Sequence, residues 1–474
     1  MATTDAVVVG AGPTGLMLAC ELALGGATVK VLDERTDTPN ITRAFAVHAR
    51  TLELLDARGM ADELLSRGVP VHEIVPPGGG SVKLGDLPTR FGMVLIVPQS
   101  GTEKVLQAHA DDLGVEFVRG SEVVGLTQDD EGVTVECARG DNVRASYVIG
   151  CDGAHSAVRS QLGIDFVGKQ YETHILLADV QLTRAPGDTL TGIPNEKGVS
   201  LLIPFGDGWF RAIVWDRLRE QAPLSEPVTL DEVRDSFNRI AGHDFGMTEI
   251  RWSSRFLSER RQARHYRKGR AFLAGDAAHV HSPLGGQGMN TGIGDAMNLG
   301  WKLAAAARGS APPSLLDTYE AERHPVGASV LQLTDVFNQV VLGHSRLRRL
   351  VRTAFVGTIT RIPRTRRLLA ERLSGIGVAY PHARDEDWLV GRRMPDIVCE
   401  GKRAYELLRD GRFVLVTAAP VQLDRPDIVH AVDDHPELPD AVLIRPDSYV
   451  AWASERLPEA SELATAVDRW SRAG

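Results

Sequence analysis

Cysteine is scarce and scattered in this chain of 474 residues: Cys20, Cys137, Cys151 and Cys399 stand far apart, with no CxxC pair. That spacing argues against a disulfide framework or a zinc ribbon and fits a reducing compartment, the cytoplasm. Positive charge is not in excess either, since 53 Lys and Arg face 62 Asp and Glu, for a net charge of −9 and a pI near 5.9. Nucleic-acid binders normally carry a basic face, so no nucleic-acid partner is expected. Uninterrupted apolar runs of about 18 residues are missing, so no membrane span is expected. The start, Met1-Ala2-Thr3-Thr4-Asp5, has neither the charged region nor the apolar stretch of a signal peptide. There is no internal repeat and no low-complexity tract. What remains, 43% hydrophobic and 24% charged residues, is the composition of a globular protein with room for two or three domains.

Against that plain background, glycine is placed with purpose. Ala6–Gly10 is a short apolar run of the kind that forms a buried parallel strand. The loop Gly10-Ala11-Gly12-Pro13-Thr14-Gly15 follows and opens an apolar-periodic helix from Leu16 to Leu24. Gly25-Gly26 ends that helix, and Thr28–Leu32 is the next strand, closing on Asp33-Glu34. Strand, glycine loop, helix, strand and acid within about thirty residues is the full context of a dinucleotide fingerprint. Gly10, Gly12 and Gly15, with Pro13 and Thr14 between them, let a pyrophosphate approach the helix N-terminus. Asp33 is placed to accept from ribose hydroxyls, and Glu34 can share the task; a loop carboxylate or helix cap is the plainer alternative for Asp33.

Some 260 residues later a second ligand loop appears. Gly275-Asp276-Ala277-Ala278-His279 sets an acid beside a turn, and Pro283-Leu284-Gly285-Gly286-Gln287-Gly288-Met289-Asn290 leads into a helix over Thr291–Arg308. A glycine-rich helix start presents bare backbone N–H groups and an electropositive end. Two such loops imply one large cofactor gripped at both ends. His279 and His281 form an H-x-H pair, but no third ligand at suitable spacing accompanies them, so no metal site is expected.

Elsewhere, helical pattern covers Arg50–Arg58 and Thr102–Leu113, and short strands are expected at Val115–Val118, Val123–Gln128, Val133–Cys137 and Val143–Ile149, the last three as a meander. From about 171 to 262 the pattern is β-rich, a sheet inserted into the cofactor domain, and Arg270–Gly275 returns to that domain as a buried strand. Residues 346–372 carry nine arginines and a single acid, Glu371. A face for an anionic ligand or membrane surface is one reading; a solvated face of linker helices is favoured, given the acidic whole. Phe413–Thr417, Ala441–Ile444 and Tyr449–Trp452 indicate a small α/β domain at the end.

These motifs together resemble the group A flavin-dependent monooxygenases, the family of para-hydroxybenzoate hydroxylase, phenol hydroxylase and the aromatic polyketide hydroxylases. The match runs in the family's order through Gly10–Gly15, Arg43-Ala44, Pro98-Gln99, Gly150–Arg159, Gly275–Asn290, Asp295–Leu303 and Leu315–Val326, and continues more weakly in Gly411–Leu415 and Leu443–Asp447. The resemblance implies an α/β fold: a Rossmann-like FAD-binding domain over 1–170 and 265–385, including linker helices 330–385, an inserted β-sheet substrate domain over 171–264, and a thioredoxin-like C-terminal domain over 386–474. It implies bound FAD, transient NADPH or NADH, and dioxygen as co-substrate.

By the same resemblance, Asp276 would bind the pyrophosphate or ribityl region, and Gly286, Gln287, Gly288, Met289 and Asn290 would offer N–H groups to the pyrimidine edge of the flavin. Arg43 and Gln99 would contact the phosphates and ribityl chain, a backbone group near Val123 would hold adenine, and Pro283 would sit at the flavin face. The Asp152-Gly153 turn would serve FAD and the nicotinamide donor, supported by Arg159; for Arg43 and Arg159 a surface salt bridge stays open. Arg43 and His48 are the candidates for acid–base help. Leu202, Pro204, Phe210 and Arg211 are expected to meet the substrate. The implied activity is hydroxylation of a polycyclic phenol through a C4a-hydroperoxyflavin, in biosynthesis or in inactivation of an antibiotic of the rifamycin kind; an oxygen-independent FAD reductase or dehydrogenase is the competing class. A cytoplasmic monomer or homodimer is expected. The terminal domain lacks a redox dithiol, Cys399 standing alone, which makes it a packing or assembly element.

Overall fold

The computed structural model describes residues 3–36, 44–74, 81–186, 190–282, 285–312, 314–341, 362–423 and 425–471. Its largest sheet has Thr3–Val9 at the centre, paired in parallel with Val143–Gly150 on one side and Val29–Asp33 on the other. Glu116–Arg119 extends it in parallel beyond Val29–Asp33, and Ala271–Leu273 beyond Val143–Gly150. Val7, Val8 and Val31 are fully buried, because helices and loops cover both faces of a parallel sheet. The meander forms as its turns require: Val123–Gln128, Val133–Cys137 and Val143–Gly150 pair antiparallel. Its first turn is closed by Asp129, whose Oδ1 accepts the N–H groups of Glu131 and Gly132 at 2.9 and 3.0 Å.

A second, antiparallel sheet of six strands runs in the order Thr191–Pro194, Gly198–Pro204, Trp209–Asp216, Phe166–Leu182, Met247–Ala263 and His279–Val280. Its two 17-residue strands lie side by side, and the first of them sets the start of the β-rich block at Phe166 rather than near 171. Lys169 and Gln170 interrupt the apolar signal there, and the pairing with Arg260 and Glu259 continues regardless. The helix Leu230–Ala241 covers one face of this sheet, with Val233, Phe237 and Ile240 packed on Leu176, Leu202 and Phe210. Thr229 caps its start by accepting from the Glu232 N–H.

The C-terminal sheet has the order Ile428–Val432, Phe413–Thr417, Ala441–Ile444 and Val450–Ser454, the first pair parallel and the others antiparallel. Ile428–Val432 is a half-exposed edge strand, which explains why no apolar run announced it. Among the described helices none is long and apolar enough to cross a membrane. Much of the arginine-rich segment lies outside the described residues. In its described part, the helix Pro363–Ser374, Arg364 and Arg367 are exposed and Arg367 pairs with Glu371 at 2.9 Å.

Candidate functional site

The first glycine loop is held by close packing that only glycine permits. Gly10 has φ +101°, and a Cβ on it would lie 2.5 Å from the Cys151 carbonyl oxygen. A Cβ on Gly15 would run into the Gly10 carbonyl, so this glycine sets how closely the helix Pro13–Leu24 approaches the strand. Gly12 meets no atom within 4 Å and is open to a ligand. The helix has no capping side chain and no acid in its first turn, and Pro13 fills a position whose missing N–H costs nothing. Its positive end is left for something else to satisfy.

Thr14 is where the two distant loops meet. A Cβ on Gly275, whose φ is +61°, would lie 2.6 Å from Thr14 Oγ1, and one on Gly292 would collide with the same hydroxyl. The Gly275–Ala277 turn and the Gln287–Ala307 helix are thereby packed against the start of the first helix. Asp295 fixes the turn from below. Its Oδ2 accepts from the Gly275 N–H at 3.0 Å and lies 2.7 Å from His279 Nε2, while Oδ1 accepts from Arg323 Nε at 2.7 Å. Burial raises the Asp295 pKa, but Arg323 and His279 outweigh it and hold the carboxylate below its usual range.

The long helix begins at Gln287, four residues before the apolar periodicity, on Gly286 in the left-handed conformation (φ +64°). Two glycines weaken the local signal. Tertiary contact supplies what propensity does not: Asn290 Oδ1 accepts from the His48 N–H at 2.8 Å, and its Nδ2 donates to Ala46 and Gly286 carbonyls at 2.9 and 2.7 Å. The Asn290 side chain is thus a clamp between the helix start and the strand Ala46–His48.

One cleft of about 650 Å³ runs between these loops. It is lined by Gly10, Gly12, Pro13, Thr14, Asp33, Glu34, Gln99, Val123, Asp152, Asp276, Gly286, Gln287, Gly288 and Met289. Its volume is in the range of cofactor sites. Asp33 is almost fully buried at the second strand's end, accepting from the Ala11 N–H at 2.8 Å and twice from the Arg35 guanidinium at 2.8 and 3.0 Å. Burial raises its pKa, yet the Arg35 hydrogen bonds prevail and keep it ionised. Glu34 beside it is exposed. Gln99 accepts from the Ala44 N–H at 3.0 Å and donates to Glu103, fastening Ala44 to the start of the helix Gln99–Asp112.

Asp152 faces inward as well as into the cleft. It accepts from Ser156 Oγ at 2.6 Å and from the Val158 N–H at 3.1 Å, and burial pushes its pKa up. Arg159 is buried and makes no ion pair among the described residues. It donates to the Ala277 and Ala154 carbonyls at 2.9 and 2.8 Å, tying the Asp152 turn to the Gly275–Ala277 turn, with its guanidinium stacked 3.8 Å over Phe166.

The remaining sequence candidates divide. Gly15 and Asn290 act as packing and clamp, outside the lining. Arg43 and Pro283 lie outside the described residues. His48 is buried, with Nε2 3.5 Å from where a Gly286 Cβ would stand, and burial lowers its pKa to about 4. It lines a separate cavity of about 60 Å³ with Arg50, Asn290, Arg323 and Tyr449. Leu202 and Phe210 belong to the core under the Leu230–Ala241 helix, and the strand register puts Pro204 on that same face. Their alternate neighbours Leu201, Ile203 and Ile213 pack instead with the core that holds the parallel sheet. Arg211 shares that inward face. It is fully buried, donates to Asp179 at 2.6 Å, and stacks 5.3 Å over Phe45, a residue of the cleft wall.

Asp295, Arg323 and His281 were missed as functional residues. Asp295 was visible in its motif, but nothing in one sequence says that its carboxylate reaches back twenty residues to Gly275. The residues present suit FAD: two uncapped helix starts for negative groups, glycines at the closest approaches, and acceptors at Asp33, Asp276 and His281. His281 Nε2 is buried beside the cleft with no hydrogen-bond donor from the described residues.

Residues 3–334 match the FAD binding domain family, and residues 387–473 match the family described as aromatic-ring hydroxylase, C-terminal. A rifampicin monooxygenase from Streptomyces venezuelae is 41% identical across 98% of each chain. The solved structure of an anhydrotetracycline hydroxylase from Streptomyces rimosus superposes with a TM-score of 0.87, at 37% identity over 99% of both chains. A dialkyldecalin synthase from Streptomyces rugosporus is 36% identical over 98% of each chain.

Proposed function

The chain belongs to the family of FAD-binding aromatic-ring monooxygenases, and from that membership we propose that it hydroxylates a polycyclic, polyketide-type phenol with electrons from NADPH or NADH and oxygen from dioxygen. The observation that carries the reading is the junction at Thr14, which brings two uncapped helix starts to one elongated cleft. FAD, when bound, supplies the redox chemistry: reduced by the nicotinamide, it activates dioxygen for transfer of one atom to an electron-rich aromatic carbon.

The chain's own residues then have distinct tasks. Asp33 and Glu34 receive the adenosine ribose, the N–H groups after Gly12 face the pyrophosphate, and the backbone at Val123 holds adenine. Asp276 holds the middle of the molecule, with Arg43 and Gln99 alongside, and the N–H groups following Gly286 stabilise negative charge on the reduced ring. Pro283 borders the ring face, and the Asp152-Gly153 turn receives the nicotinamide donor. Arg43 and His48 remain the acid–base candidates; with its pKa near 4, His48 acts from the neutral state at pH 7. Substrate contact falls to the inward face of the six-stranded sheet, at Leu201, Ile213 and Arg211. That wall also excludes water from the reaction.

We divide the chain into a cofactor domain (1–170 and 265–385), a substrate sheet (171–264) and a tail (386–474), the tail's mixed four-stranded sheet supporting a thioredoxin-like origin. Unpaired cysteines support a cytoplasmic enzyme, working as a monomer or homodimer.

The rifampicin monooxygenase relative favours a second reading, oxidative inactivation of an antibiotic. One experiment separates them. Purified protein is given a panel of polycyclic phenols and rifamycin-type ansamycins under labelled dioxygen, with nicotinamide oxidation followed. Ligand-stimulated oxidation with label in a phenolic product is expected. Label confined to the ansamycins moves the reading to inactivation. Oxidation that proceeds without dioxygen, or conversion without label, overturns monooxygenation.

A further inference from the structure

The cavity of about 60 Å³ beside His48 is separate from the cofactor cleft, yet Gln287 stands in the wall of both. It has room for several molecules the size of water or dioxygen. Three parts of the chain enclose it: the start of the Gln287–Ala307 helix, Val326 and Val330 on the Asp317–Val341 helix, and the rings of Tyr380 and Tyr449, stacked with centroids 4.0 Å apart. Tyr449 makes the C-terminal domain part of the enclosure. The exposed Arg372 also belongs to the wall, which brings part of it to the protein surface.

The polar side chains around this space direct their hydrogen bonds elsewhere. Arg323 donates to Asp295, to the Thr291 carbonyl at 3.0 Å and to Tyr380 Oη at 3.4 Å. The Thr291 and Ser374 hydroxyls donate to the Gln287 and Glu371 carbonyls at 2.9 and 3.2 Å, and Gln287 Nε2 donates to the Leu373 carbonyl at 3.0 Å. Asn290 is committed to its clamp and Asp447 to Arg445. Arg50 Nε and His48 Nδ1 have no partner among the described residues, but both are packed under neighbouring atoms rather than open to the cavity. What lines the space is therefore mostly carbon, from Leu54, Met297, Val326, Val330, Val378 and the Tyr449 ring. Water in a cavity needs about two to four polar partners, which such a wall does not supply. A small apolar gas gives up no hydrogen bond on entering. We propose that this cavity is a docking site for dioxygen, which passes from it by Gln287 to the ring end of the cleft. The inference rests on the reading that dioxygen is the co-substrate. It meets a need of that reading, because a site closed to water by its substrate wall still has to admit the gas.

The first test reads occupancy rather than turnover. Crystals of the FAD-loaded protein are pressurised with xenon, a probe of dry apolar space. A xenon peak in the cavity is expected, and its absence overturns the inference. In solution, the protein-bound flavin is reduced with dithionite and mixed with dioxygen, and the second-order rate constant of reoxidation is measured. Val330→Phe fills the cavity from a half-buried position. It is expected to lose the xenon peak and to slow reoxidation about tenfold at unchanged FAD affinity, the effect of losing a locally held reactant. Reoxidation at the wild-type rate in a variant without the xenon peak overturns the inference. Should the phenylalanine variant not fold, wild type decides the matter. Reoxidation that slows as xenon pressure rises supports the site, and a rate indifferent to xenon overturns it. Xenon competition together with unlabelled products supports the gas site while overturning hydroxylation, so the two failures stand apart.

Discussion

At its N-terminal end the Gln287–Ala307 helix begins on Gly286 with no capping side chain and no acid in its first turn, and its first residues wall the cleft. About three to four turns further on, Asn298 and Lys302 on the same helix are fully buried and closed into a network of charges. Lys302 Nζ donates to Glu322 and Asn298, each at 2.8 Å, and the Arg445 guanidinium donates to both Glu322 oxygens at 2.7 and 2.9 Å and to Asp447. The difference is instructive. Where a ligand is to bind, the chain leaves polar groups for the ligand to satisfy; where the C-terminal domain is to stay docked, it satisfies them itself. Arg50, on the helix Ala49–Asp56, adds to the docking, donating to Ser448 Oγ at 2.8 Å and to Tyr405 Oη at 3.0 Å.

The comparison breaks most visibly at the closed end. Arg445→Ala leaves Glu322 and Asp447 buried without their main partner, and is expected to cost about 3–5 kcal/mol in urea unfolding. The pH dependence has a fixed sign. Burial raises the Glu322 pKa, but Arg445 and Lys302 outweigh it and hold it well below the ordinary glutamate value of 4.5. Stability from Glu322 is therefore fully present above pH 4.5 and is lost as pH falls toward the depressed value. In Arg445→Ala that acid limb is expected to shift to higher pH; an unmoved limb in a pH series of unfolding midpoints would falsify the assignment.

At the open end the effect falls on binding instead. Gly288→Leu puts a side chain into the cleft wall beside His281 and Asp276, so FAD affinity is expected to fall about 100-fold or more while the apoprotein melts no lower. Equal loss of stability at both ends, read by calorimetry on apoprotein, breaks the contrast. The smallest effect marks its baseline: Arg367, 65% exposed and paired with Glu371, is expected to contribute no more than about 0.5 kcal/mol, so Arg367→Ala leaves the unfolding midpoint nearly unmoved.

Much of the cofactor domain was legible because its signals are local. The apolar run before Gly10, the Gly10–Gly15 loop and Asp33 lie within one strand–helix–strand unit, and the pattern of each element matches its burial. The six-stranded antiparallel sheet was harder to read. Period-two alternation separates Leu202 and Phe210 from Ile203 and Arg211, but not which set faces the cofactor domain; that depends on the Leu230–Ala241 helix covering the far side. In the sequence the His281 ring has only the pattern of a metal ligand, since its hydrogen bond to Ser282 and its proximity to Gly288 are facts of folded space.

By itself the sequence determined the positions where a side chain cannot stand. Gly10, Gly15, Gly275 and Gly286 are required by backbone conformation or by an atom already present, and such constraints are written one residue at a time. Only the tertiary structure decided that loops 260 residues apart meet at Thr14, that Asp295 holds the acid turn beneath the cleft, and that His281 and Asp276 flank Gly288. Those are contacts between distant segments, and packing many elements around one core selects them, through terms no single segment carries.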